Sequence, residues 1–313
     1  MTDQRKLREL TNAVRITGTL KEMNLEIKPN KKDPTVKQIQ GNIVILSVVD
    51  GKANEHRVEL FAKDTSKLFK GYETVKNEYK AIDTVGVENA TRLTVTGSVD
   101  GNDYYGQDGQ LREVNRIRGL FVNRVDDAAV QDEAIAQIEL VVKNLRPLTD
   151  KEGIETGEYA IDAFTVGYNQ SVIVLKNLVV GEDLAEVITG NYQAGNTGKL
   201  TFNINNYAEI VEKPVSPDAG GFGIQVEIGD EVKNYTRNLK VVGGFPPYYD
   251  ERAFEEEDIV LANRIRALKL QELANTAQTP PAQSGGFGQG FGKPAGSTAA
   301  PGSLDISDDD LPF

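Results

Sequence analysis

His56-Arg57-Val58-Glu59-Leu60-Phe61-Ala62 is the stretch on which the fold turns. Side chains of an extended strand alternate between two faces. Val58, Leu60 and Ala62 therefore share one face, and Arg57, Glu59 and Phe61 share the other. The pattern is that of a half-buried strand with one aromatic ring on its polar side. A slip of one residue would exchange the faces and bury Phe61 instead. Upstream, the β-branched run Gly41–Val49 predicts a central strand. Before it, Lys28–Lys37 carries two prolines and four lysines and predicts a loop, and a strand from Ala13 is punctuated by Gly18, where a bend or bulge is expected. Downstream, Thr65–Tyr72 predicts a short helix, Arg92–Val99 a further strand, Gly101–Gly109 a turn-rich loop, and Val114–Val125 the last strand, with Val114, Ile117, Leu120 and Val122 as its apolar residues. Five strands with a helix between the third and fourth are the layout of an OB-fold, a five-stranded Greek-key barrel that often binds single-stranded nucleic acid.

A second β-rich block repeats this order of elements. Residues 136–145, 159–166, 171–180, 199–210 and 235–242 read as strands, with a short helix at Asp183–Ile188 between the third and fourth. No residue-level repeat accompanies it, so a second OB-like barrel rests on element order alone. After the break at Gly243–Pro247, residues from Phe254 to about Asn275 read as a helix. Phe254, Leu261, Ile265 and Leu268 lie on one face, acids come first and bases later, which complements the helix dipole. Packing against a barrel is its expected role. Residues 276–302 are built from Gly, Ala, Pro, Gln, Ser and Thr, too polar to form a core. The expected class is all-β: an N-terminal OB-fold over 1–126, a second β-rich, OB-like domain over 127–250, a helix over 251–275, a disordered linker over 276–302, and an acidic tip over 303–313.

The chain has 313 residues and a net charge of −12, which looks unsuited to nucleic acid. The charge is unevenly spread, however: +3 over residues 1–126, −9 over 127–249 and −6 over 250–313. A face for a polyanion is therefore expected in the first third. There is no cysteine and one histidine, so disulfides, thiolate metal sites and a Ser-His-Asp triad are not expected, nor is any cofactor. No apolar run follows Met1 and none is long enough to span a bilayer, so neither a signal peptide nor a membrane partner is expected, and the cytoplasm is the expected compartment. No phosphate loop and no Gly-x-Ser-x-Gly elbow occurs, and Asp126-Asp127 and Asp308–Asp310 lie in segments not expected to hold a catalytic metal rigidly, so a non-enzyme is expected.

The chain ends Leu304-Asp305-Ile306-Ser307-Asp308-Asp309-Asp310-Leu311-Pro312-Phe313. A terminal ring beside a free carboxylate suits a pocket with a neighbouring Arg or Lys, Pro312 stiffens the approach, and Asp308, Asp309 and Asp310 steer it to basic surfaces. This tip, with the linker before it, resembles the C-terminus of bacterial single-stranded DNA-binding proteins. The barrel resembles theirs in His56-Arg57, in Leu60-Phe61 leading to a short helix, and in the hairpin around Tyr104-Tyr105. The resemblance covers residues 11–126 and the tail, not 127–275. It implies single-stranded DNA as ligand, and replication, recombination and repair proteins as partners of Asp308, Asp309, Asp310, Leu311, Pro312 and Phe313. It implies base stacking by Phe61 and by Tyr104 or Tyr105, with Arg15, Lys21, Arg57, Arg112, Arg116 and Arg118 as cations. Tyr168, Tyr192 and Phe202 are the rings of the second block that could do the same. The chain departs from that family in having no tryptophan, in Glu55 standing where an aromatic is usual, and in its extra domain. A divergent, phage-encoded version with two barrels per chain fits these departures and leaves open whether it forms a homo-oligomer. A protein-binding adaptor and a strand-annealing recombination mediator are the alternatives.

Overall fold

The computed structural model describes residues 5–106, 108–212 and 231–278. Ten strands in these residues form one continuous sheet that closes twice. β1 (Asn12–Pro29), β2 (Lys37–Val49), β3 (Lys52–Lys63), β4 (Arg92–Tyr105) and β5 (Leu111–Arg124) run in the order β1-β2-β3-β5-β4-β1, with β3 and β5 parallel. β6 (Glu133–Thr149), β7 (Glu155–Gly167), β8 (Ser171–Val180), β9 (Thr197–Glu212) and β10 (Glu231–Gly244) repeat that order, with β8 and β10 parallel. Each barrel carries a helix between its third and fourth strands: α1 (Leu68–Glu78), followed by the single turn α2 (Ile82–Val85), in the first, and α3 (Glu182–Asn191) in the second. This is the OB-fold connectivity, present twice.

The barrels share a seam. Thr17 to Asn12 of β1 pair with Glu133 to Ile138 of β6, while the other edge of this same half of β1 pairs with β4. A reciprocal embrace reinforces the seam. On one side, Asn115 of β5 donates to Val174 O at 2.8 Å and accepts from Lys176 N at 2.6 Å. On the other, Asn206 N of β9 donates to Asn54 Oδ1 at 2.9 Å, and Lys52 Nζ reaches Tyr207 Oη and Glu209 Oε1, both at 2.8 Å. The fifth strand of the first barrel and the fourth strand of the second thus each lean on the third strand of the other.

Some boundaries differ from those read off the sequence. The expected loop at Gly101–Gly109 is mostly ladder, paired out to Tyr105 and Leu111, because the cross-strand bonds outweigh the turn-forming residues. The first helix starts at Leu68 and runs on to Glu78, and β1 continues to Pro29. Gly18 is not a bulge. It allows close approach: a Cβ there would lie 2.3 Å from Leu46 O, and the register slips later, between Leu20 and Glu22. The opening residues are not merely polar: Leu7 and Leu10 are buried.

The C-terminal helix, α4 (Glu256–Gln278), packs on the second barrel. With Leu7 and Leu10, its Ala262 and the preceding Phe254 seal Val141, Phe164, Val166 and Val172, and the rings of Phe164 and Phe254 meet edge-on at 6.5 Å. Burying an apolar side chain of this size is worth about 1.5–3 kcal/mol. The accompanying pairs of Arg5 with Glu255 and Asp258 are solvent-exposed and screened, so the apolar contacts hold the cover in place. Of the expected apolar face of the helix, Ile265 packs here whereas Leu268 is exposed.

The lone histidine belongs to the first core. His56 is 1% exposed and its Nε2 shares a hydrogen bond with Ser47 Oγ at 2.9 Å. Burial lowers its pKa from 6.5 to about 4, so the folded state holds it neutral. Below pH 6.5 the unfolded chain takes up this proton and the folded one does not, so stability drops between pH 6.5 and about 4. Urea midpoints measured across this range should fall with pH for the wild type and fall less for His56→Gln. The single imidazole NMR signal should titrate near 4 in the folded protein.

Candidate nucleic-acid interface

Directly opposed residues on paired strands share a face, which allows the outward side of the first barrel to be read off its register. Gln40 faces Phe61, Asn42 faces Glu59, Val44 faces Arg57 and Leu46 faces Glu55 on β2 and β3. Their neighbours Val58, Leu60 and Ala62 are buried, so the alternation read from residues 56–62 is the observed one, and Phe61 stands 40% exposed. Across the parallel junction Glu59 lies opposite Arg118. Arg118 pairs with Ser98, Arg116 with Asp100 and Arg112 with Tyr104 on β4 and β5, which carries the same face out along the hairpin. Of the two hairpin tyrosines, Tyr104 is on this outward face. Tyr105 is on the reverse, with Asp103 and Glu113.

A bulge reshapes the middle of β5. The register slips between Thr96 and Gly97, and a Cβ on Gly97 would lie 2.1 Å from Arg118 O, a distance only glycine tolerates. From α1, Tyr72 Oη donates to Gly119 O at 2.9 Å and to Leu120 O at 3.1 Å, pinning the backbone there, and burial pushes this phenol up to about 12. Beyond the bulge Phe121 pairs with Thr96 and is 58% exposed, close behind Arg118. Sequence reasoning misses Phe121. Its only signal is an aromatic flanked by Leu120 and Val122, which reads as core unless the bulge is known. Phe61, Phe121 and Tyr104 thus offer three rings on one continuous outward face.

The cations of this face are not equally available. Arg15 is held by Glu133 at 2.6 Å and Lys21 by Glu55 at 2.6 Å, which raises the lysine's pKa. Arg112 meets Asp108 at 3.2 Å, and Arg116 is shared by Glu59 at 2.7 Å and Asp100 at 3.3 Å. Arg57 and Arg118 form no ion pair among the described residues. Arg57 is half-buried with its Nε sealed from solvent, whereas Arg118 is exposed. The structure therefore brings the predicted cations of β3 and β5 together with Phe61 and Tyr104. It places Arg15 apart, at the seam beside β6.

Among the described residues, the second barrel differs at its third strand. β3 runs on from Val58 and Glu59, its contact with β5, through Phe61 to Lys63, whereas β8 ends at Val180, still in its contact with β10. Tyr192 and Phe202 are buried in the core and are not available to stack, while Tyr168 is exposed. A cleft of about 710 Å³ between Glu139, Lys199, Phe245, Tyr248, Tyr249 and Arg252 opens on another side of that barrel. No group of three or more His, Cys, Asp or Glu side chains placed to hold a metal occurs among the described residues. The tip, Asp308 to Phe313, and the expected linker from residue 279 lie outside the described residues, whereas residues 276–278, expected to open that linker, close α4.

A family model, YorF, matches residues 11–276, which span both barrels and nearly all of α4. Among curated proteins none matches. Among solved structures the chain is similar to the wild-type single-stranded DNA binding protein from Thermus aquaticus, with 12% identity, a TM-score of 0.47, and coverage of 80% of this chain and 99% of that one. A deletion mutant of that protein gives 13%, 0.44, 80% and 98%.

The bulge makes a sharp demand at Gly119, where an added Cβ would stand 2.6 Å from Leu60 Cδ2 and 2.9 Å from Val58 Cγ1. Gly119→Val should push β5 from β3 and cost about 1–3 kcal/mol, the usual cost of overpacking, read as a lowered urea midpoint. Unchanged stability would show that the junction yields freely.

Proposed function

The chain belongs to the YorF family, and we propose that its first barrel binds single-stranded DNA without strong sequence preference. One observation carries the reading: Phe61, Phe121 and Tyr104 share an outward face with Arg57 and Arg118, two guanidiniums without a carboxylate partner among the described residues. Each stacked base is worth about 1–3 kcal/mol whatever its identity, because every base has a π-face. Duplex DNA hides those faces, so the same surface discriminates by strandedness. In this reading the protein works by binding and not by catalysis, in the cytoplasm, and the second barrel has a structural role. The residues past α4 serve partners: the tip from Asp308 to Phe313 docks replication, recombination and repair proteins through the ring of Phe313 and the acids before it.

Fluorescence anisotropy with labelled poly-dT and a matched duplex tests the first claim. Poly-dT should bind and duplex should not, and Phe61→Ala should weaken binding by about 1–3 kcal/mol. Most of the cations already have carboxylate partners, so the slope of log affinity on log salt should match roughly two to four phosphate contacts at about 0.7 each. Glu59→Gln removes one of the two carboxylates that hold Arg116, leaving Asp100, and should tighten binding and steepen the slope by less than about 0.7. Absence of poly-dT binding at low salt would move the weight to a protein-binding adaptor, and strand annealing in the same samples would mark a recombination mediator.

The docking claim is separable. Protein comprising residues 1–313 should retain partners from a cell extract that a chain lacking Asp308–Phe313 does not, and a free peptide with the sequence Asp-Asp-Asp-Leu-Pro-Phe should compete them off, while the same peptide with the phenylalanine replaced by alanine should not. Equal retention by the truncated chain sinks it.

A further inference from the structure

The hairpin of β4 and β5 has two dissimilar sides. Tyr104 and Arg112 are opposed on its front, and Asp103 and Glu113 on its back. Arg266 of α4 enters that back. Its Nη1 donates to Asp103 Oδ2 at 2.5 Å and its Nη2 to Glu113 Oε1 at 2.7 Å, so one guanidinium bridges both strands. The side chains of Arg266 and Asp103 are only 9% and 4% exposed. Lys269, one turn on, stands 3.4 Å from Asp103, and Lys176 of β8 stands 2.7 Å from Glu113. Burial works to raise both carboxyl pKa values, yet the bases facing them carry both below the ordinary range.

A two-stranded ribbon is marginal by itself. Ordering a mobile ring at the moment of binding costs conformational entropy, which a pre-ordered ring avoids. We propose that Arg266 is a positioning residue for the strand-binding face: by clamping Asp103 and Glu113 from behind, it holds Tyr104 and Arg112 ready for the nucleic acid. The proposal rests on the single-stranded DNA reading above. Arg266 itself lies on the side away from that face and touches no bound strand, so it acts only through the hairpin. The planar fork of arginine suits the task, since a lysine presents a point charge that cannot span two carboxylates in the same way.

The test is a double-mutant cycle on full-length protein, with poly-dT anisotropy as readout. Arg266→Gln leaves two acids unpaired at a cost in stability, so Arg266→Lys, which keeps the charge balanced, is run beside it. Either folded variant should bind poly-dT about five- to tenfold more weakly, up to about the share of one stacked base, with the salt slope lowered by no more than the one contact of Arg112, about 0.7. Tyr104→Ala should then cost much less in the Arg266 background than in the wild type. Hydrogen exchange should show the amides of residues 100–116 losing protection while those of β1 and β2 keep theirs. If the two substitutions are additive, or if folded Arg266→Lys binds as the wild type does, the positioning role is refuted while the binding reading stands. If wild-type protein fails to bind poly-dT, both fall together.

Discussion

The half-strand from Asn12 to Thr17 bears the architecture. It is hydrogen-bonded on one edge to β4, closing the first barrel, and on the other to β6, opening the second. An edge strand left bare invites pairing with another chain. Here each barrel occupies the edge that the other would expose. The two barrels consequently lie against each other at a fixed register, and the hairpin of each reaches the third strand of the other. The pinned hairpin, the cover on the second barrel and the open face of the first follow from that seam.

Four of the six cations expected to meet nucleic acid are paired within the molecule. In a chain with a net charge of −12, a cation facing outward has many carboxylates to choose from. Arg15, Lys21, Arg112 and Arg116 each have one within about hydrogen-bonding reach. An exposed pair is weak and a phosphate can displace it, but the exchange releases less free energy than binding by an unpaired cation. Under the proposed function, Arg57 and Arg118 therefore count for more than a tally of basic residues suggests, and ring stacking carries more of the affinity than charge does.

The two barrels share connectivity and differ in what lies over them. In the second, α4 and the opening residues cover Phe164, Val166 and Val172, and β8 stops before the position at which β3 presents Phe61. The covering helix also supplies the buried Arg266 to the first barrel's hairpin. The first barrel thus leaves its outward face at Phe61 uncovered, while the helix that covers part of the second also reaches the first barrel's hairpin.

Much of this architecture is legible from local rules applied to the sequence. The alternation over residues 56–62 places Phe61 and Arg57 outward, and the order of strands and helices yields two OB-like barrels followed by a packing helix. The tip is legible only as sequence, in the acids before Leu311-Pro312-Phe313. Local rules work where the physics is local: the period of a strand, the stiffness of proline, the composition of a linker. They stop where contacts join distant residues. The bulge that turns Phe121 outward depends on Gly97 meeting the backbone at Arg118, and the choice between Tyr104 and Tyr105 depends on cross-strand register. The burial of Tyr192 and Phe202 depends on closure of the second barrel, and the partners of Arg15 and Arg266 lie more than a hundred residues away in the chain. Residue order alone thus sets which strands exist and which way most of their side chains point, because alternation is a property of the backbone. Which rings and cations remain available to a ligand is settled only in the folded chain, because that depends on what comes back to meet them.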